Sequence, residues 1–182
     1  MLGPVVAKQD LHGAAGWGAV VAAESVGLVA AGLVALRWRP HRALFVGCLA
    51  LAPVPIFMAS LAVPLRLVGV AAAAVVAGFG LELFNVLWIT VLQQRISDDV
   101  LARVNSYDAL GSFVFIPLGL TIAGPVADAV GVSTALWGAS FVALVTVLVP
   151  LLSRDVRTLR RVEAPLELPP LETEPTVPPA VH

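Results

Sequence analysis

Long apolar runs broken by short charged clusters dominate this chain, and neither strand-like alternation nor an amphipathic helical stripe organises it. Crossing about 30 Å of hydrocarbon takes roughly 20 apolar residues at 1.5 Å per residue. Five segments meet that length: Ala14 to Leu36, Ala43 to Leu65, Leu67 to Leu92, Ala109 to Ala127, and one within Ala129 to Leu152. The pattern predicts an all-α, polytopic membrane helix bundle of five transmembrane helices. Gly131-Val132-Ser133 is the expected turn between the last two, short enough to impose an antiparallel hairpin. Pro53 and Pro55 remove backbone donors from the second span and predict a bend there.

The charged clusters alternate. Arg37, Arg39 and Arg42 follow span one, Arg95 and Arg103 follow span three, and Arg154, Arg157, Arg160 and Arg161 follow span five. The opposite side holds only Lys8 and Arg66. Because Lys and Arg accumulate in short cytoplasmic loops, this register predicts the N-terminus outside and the C-terminus in the cytoplasm. Residues 1–13 read as an extracytoplasmic stub, the end of a preceding apolar helix, and lack the features of a signal peptide. Residues 14–152 form the membrane domain. From 153 to 182 prolines alternate with glutamates, a composition unable to bury a core and predicted to be a disordered cytoplasmic tail. Between spans three and four, Ser97 suits a helix N-cap, Asp98 and Asp99 its positive end and Arg103 its far end, predicting a short surface helix.

Composition agrees with the pattern. The 182 residues are 59% hydrophobic and 13% charged, against about 25% charged in soluble domains, and mean hydropathy is +0.94. Nothing marks a nucleic-acid surface. Ten arginines against one lysine, amid abundant Ala, Val and Gly, are the bias of a GC-rich bacterial genome. Cys48, alone in its kind, forms no intramolecular disulfide, and His12 and His41 lack ligand spacing. With no nucleophile-base pair, phosphate loop or metal cluster in view, the chain reads as a non-enzyme without catalytic residues, metal or cofactor.

Chemistry concentrates in the spans. Glu24 lies near the middle of span one; Glu82 lies in span three, with Asn85 one turn further on the same face and Gly78 one turn before. Carboxylates at such depth cost at least roughly 2.5 kcal/mol to insert, so they turn toward a bundle interior or a wet cavity. The two spans run in one direction, and an acidic pair at similar depth is expected to take up protons or bind a cationic group. Spans two and five carry no ionisable residue and are expected toward lipid, with one, three and four around the interior. Gly119, Ala123 and Ala127 make a small-residue stripe for helix packing on span four, which Pro117 and Pro125 also interrupt, and Arg103 is a candidate gate residue.

Two passages carry a family likeness. One is Gly32-Leu33-Val34-Ala35-Leu36-Arg37-Trp38-Arg39-Pro40-His41-Arg42. The other runs from Leu92-Gln93-Gln94-Arg95-Ile96 through Arg103-Val104-Asn105-Ser106 to Pro117-Leu118-Gly119 and Ala123-Gly124-Pro125-Val126-Ala127-Asp128. They resemble the C-terminal half of a major facilitator superfamily transporter, in the bacterial drug and siderophore exporter branch, with the five spans matching helices eight to twelve. The likeness implies half of a major-facilitator-type fold in a bacterial cytoplasmic membrane, and proton-coupled efflux of a small amphipathic substrate by rocking of two halves around a midplane site. Alternating access needs both halves. The chain is therefore expected to be a fragment, or to pair with a missing N-terminal half or partner subunit, and to be inactive alone. The other reading is a small membrane scaffold or accessory subunit that oligomerises.

Overall fold

The computed structural model describes residues 2–10, 13–38, 40–63, 65–95 and 98–153. Seven helices appear among them: α1 Leu2–Asp10, α2 Ala14–Arg37, α3 Ala43–Ala50, α4 Pro53–Ala62, α5 Leu67–Arg95, α6 Asp98–Val130 and α7 Val132–Leu152. The molecule is an all-α bundle. Its five membrane-length segments are Ala14–Arg37, Ala43–Ala62, Leu67–Gln94, Ala102–Val130 and Val132–Leu152. The expected Pro/Glu-rich tail, its arginines and the Ser97 N-cap lie outside the described residues.

The bundle is organised around α2 and α5. Small residues recur along the buried side of α2, at Gly16, Gly27 and Ala31 beside Val20. On α5, Ala74, Ala77 and Gly78 are buried likewise. At Gly27 a Cβ would stand on the carbonyl oxygen of Val75, and at Gly78 one would stand on the carbonyl oxygen of Glu24. Backbone therefore touches backbone twice, in a reciprocal arrangement suited to Cα–H···O contacts. The pairing fixes direction: Val20 shares a core cluster with Val70 and Ala74, while Ala31 shares another with Leu83 and Leu87. The two helices run parallel, as the same-direction reading of spans one and three requires.

Span two returns antiparallel beside α5 as two helices. Pro53 and Pro55 offer no N–H to the carbonyls four residues before them, and the chain answers with short-range turns. Ala52 N–H donates to Leu49 O at 3.1 Å and Val54 N–H to Leu51 O at 3.0 Å. Val54 being diverted, the Ala50 carbonyl is released from the helical ladder and rests against Gly80 of α5, where a Cβ would overlap it. The predicted bend is thus a break over Leu51 and Ala52.

α7 lies antiparallel to α4, held by two hydroxyls that leave their own helix. Ser140 Oγ donates to Pro55 O at 2.8 Å and Ser133 Oγ donates to Ala62 O at 2.9 Å. The other hydroxyls of the spans mostly bond back to the preceding turn, as Thr90 does to Val86 O at 2.7 Å. Spans two and five therefore pack on each other, and span two also on α5. α1 belongs to the same body: Val6 is buried with Val20, Leu61 and Leu136, and Gly3 lies under the Trp17 indole.

α6 departs from expectation. No separate surface helix precedes span four, because one helix of 33 residues runs from Asp98 to Val130. Nothing between Asp98 and Leu110 interrupts it, neither Gly nor Pro. Its length of about 50 Å exceeds the hydrocarbon core by roughly 20 Å, so its charged first turns extend beyond the apolar zone as part of the same rod. Nor does span four line the interior of this bundle: Ala127 is its one buried residue among those described. A single residue, Gly131 at φ 86°, joins α6 to α7, a left-handed conformation that glycine adopts without strain.

Gly27→Leu and Gly78→Leu are each expected to lower stability by about 1–3 kcal/mol through overpacking. Gly32→Ala, on the same helix but facing open space, is expected to stay within about 0.5 kcal/mol. Ser140→Ala is expected to cost about 0.6 kcal/mol, the usual size of a hydroxyl bond between membrane helices. Reversible unfolding in mixed micelles with increasing SDS measures all four.

Candidate functional site

The seam between α2 and α5 decides where the polar side chains lie. Glu24 sits within two residues of the midpoint of α2, and Glu82 within two of the midpoint of α5. The Gly78 contact puts the backbone of Glu24 level with Gly78, and the Glu24 Cγ lies 3.1 Å from where a Gly78 Cβ would be. Glycine at 78 is therefore the notch across which the Glu24 side chain passes. Glu82 follows one helical turn later on α5, about 6 Å further along the axis. Helical side chains lean toward the N-terminus of their own helix, so Glu82 leans back toward that notch. The structure thus brings the two carboxylate-bearing positions to within one turn of each other in depth.

Their surroundings are open on one side. Glu24 and Glu82 are partly exposed, and Asn85, one turn beyond Glu82, is exposed. None of the three has a hydrogen-bond or ion-pair partner among the described residues. An unpaired carboxamide and two carboxylates in the middle third of membrane-length helices make a polar stripe that this bundle covers only in part. In hydrocarbon each such group would lack the partners that water supplies. The arrangement suits a face that meets water, a proton or a polar ligand; it does not suit structural glue, which would show a partner.

The other candidates are dispersed. Arg103 is exposed on the early part of α6. Gly119 is exposed and has no atom within reach of an added Cβ, Ala123 is half-buried, and Ala127 is buried. Within the described chain the small-residue packing is at Gly27, Gly78 and Gly80, and only Ala127 of the span-four stripe is used. No group of three metal-ligating side chains occurs among the described residues. Sequence reading passed over Gly27, Gly80 and Ser140. Gly27 lies three residues after Glu24, and Gly80 two before Glu82, so a charge near a glycine was the available signal. For Ser140 there was none.

No family model, curated protein or solved structure matches the chain.

Because neither carboxylate holds a partner inside the bundle, Glu24→Gln and Glu82→Gln are expected to leave stability within about 0.5 kcal/mol of the parent, as at positions without a packing or pairing role. The same SDS titration checks this, and a loss of the size expected for Ser140→Ala would show a structural role instead.

Proposed function

We propose that this chain is the membrane bundle of a transport protein, a C-terminal half of major-facilitator type, in which Glu24, Glu82 and Asn85 take up protons or hold a cationic part of a small amphipathic substrate. The observation that carries the reading is the partly exposed, unpartnered polar stripe in the middle of α2 and α5. Two carboxylates within one turn in depth, in helices whose other ionisable residues are the terminal Arg37 and Arg95, are costly to insert and useful where a proton or cation must pass. Midplane sites at the interface of two repeats are the pattern in secondary transporters. The reading has a second half, encoded elsewhere or in the same polypeptide, cover the stripe and complete alternating access. The distribution of arginines supports this reading with the C-terminal ends of α2 and α5 on the cytoplasmic side of a bacterial inner membrane.

A second reading is supported by α6. Phe113, Phe115 and Ile116 are more than 60% exposed, and a helix so little packed against its own bundle suits a scaffold or accessory subunit that lays this face on another membrane protein. The two readings part at the carboxylates, which a scaffold does not need.

The test is efflux of a fluorescent amphipathic cation from cells carrying the gene at its own locus. Combined Glu24→Gln and Glu82→Gln is expected to abolish the uncoupler-sensitive part of efflux while the protein level in the membrane is unchanged. Undiminished efflux in the double variant, or none in the parent cells, would remove the transport reading.

A further inference from the structure

At the arginine-rich end of the bundle, two neighbouring cavities share one wall. The first, of about 280 Å³, is bordered by Leu36, Trp38, Pro40, Thr90 and Gln94. The second, of about 290 Å³, is bordered by Trp38, Leu49, Pro53, Val76, Phe79 and Leu83. Trp38 belongs to both, and the α5 residues that line them follow one another at helical spacing, 76, 79, 80, 83, 86, 87, 90 and 94, along one face. The first cavity mixes polar and apolar lining and the second is almost wholly apolar. A graded groove results, polar toward the helix ends and oily toward the middle.

Along α5 the combined lining runs from Gln94 to Val76, eighteen residues or about 27 Å at 1.5 Å per residue, and its apolar stretch, Leu83 to Val76, straddles the middle of the helix. Arg37 and Arg42, both exposed, stand one residue from the lining residues Leu36 or Trp38 and Ala43, and neither has an ion-pair partner among the described residues. No carboxylate lines either cavity. Trp38 is 46% exposed, the amphipathic side chain that favours the headgroup level.

We propose that this groove holds one anionic phospholipid, its phosphate at the mouth near Arg37 and Arg42, its glycerol region against Trp38, Thr90 and Gln94, and one acyl chain along Leu49, Val76, Phe79 and Leu83. Two features select that occupant over a soluble phosphate ester or a second protein. Cationic side chains without internal partners stand next in sequence to residues lining the polar cavity, and the lining turns from polar to apolar along its length. Basic pockets between membrane helices bind anionic headgroups on the same grounds. The site lies apart from Glu24, Glu82 and Asn85, which line neither cavity, and stands whether or not the chain transports anything.

The probe is brominated phosphatidylglycerol, compared with brominated phosphatidylcholine, quenching Trp38 in the full chain with Trp17, Trp88 and Trp137 replaced by Phe. Saturable quenching at lower mole fraction of phosphatidylglycerol is expected. Arg37→Gln with Arg42→Gln is expected to remove the preference, at roughly fivefold per arginine, and excess glycerol phosphate to leave it unchanged. A chain retaining Trp137 alone, at the opposite end of the bundle, is expected to show no preference. Should the single-tryptophan chain not fold, phospholipid retained by the unaltered protein through detergent exchange is read by native mass spectrometry, with phosphatidylglycerol expected in about one copy and absent from the arginine variant. Equal quenching by the two lipids, equal retention of the two, or displacement by glycerol phosphate would overturn the assignment.

Discussion

The close approach of α2 and α5 is the constraint on which the rest depends. Between helices in lipid there is little hydrophobic driving force, because the tails are as apolar as the side chains, and association falls to packing and to polar contacts. Gly27 and Gly78 supply both by bringing carbonyl oxygens onto Cα atoms in each direction. With this parallel pair set, span two must return antiparallel beside it. Its break at Leu51 and Ala52 frees a carbonyl that Gly80 has room to receive. α7 then docks on α4 as Ser140 Oγ donates to the Pro55 carbonyl and Ser133 Oγ to that of Ala62 at the helix end. Each contact depends on a backbone carbonyl.

That dependence explains what could be read from residue order. Spans were legible because their signal is length and apolarity, local properties that neighbouring helices do not alter: the expected Ala14 to Leu36 and the observed Ala14–Arg37 differ by one residue at one end. The break in span two was legible because proline acts on its own helix. Interfaces were not, since small residues are scattered over all the spans and only the partner decides which of them is used. Gly119 with Ala123 and Ala127 had the better spacing, yet Gly27 and Gly78 make the contact. The surface helix expected near Ser97 to Arg103 failed for a related reason: charge marks where a helix leaves the apolar zone, and says nothing of whether it bends there.

For the candidate site, residue identities were legible and their setting was not. Glu24, Glu82 and Asn85 stand out in any apolar run. That Glu24 crosses α5 through the gap at Gly78, and that all three lie on an open flank of the bundle, follows from the parallel pairing alone. The seam therefore does two things with one glycine: it removes a side chain so that backbones can touch, and it clears the path by which a carboxylate reaches the partly exposed face.

The joint at Gly131 bears on how the chain sits in a bilayer. One residue spans at most about 3.6 Å, so no slack connects the far end of α6 to the start of α7. Backbone left partway across would have unsatisfied polar groups in hydrocarbon, so a joint this short ties the depth of one helix to that of the other, and the last two spans behave as one hairpin.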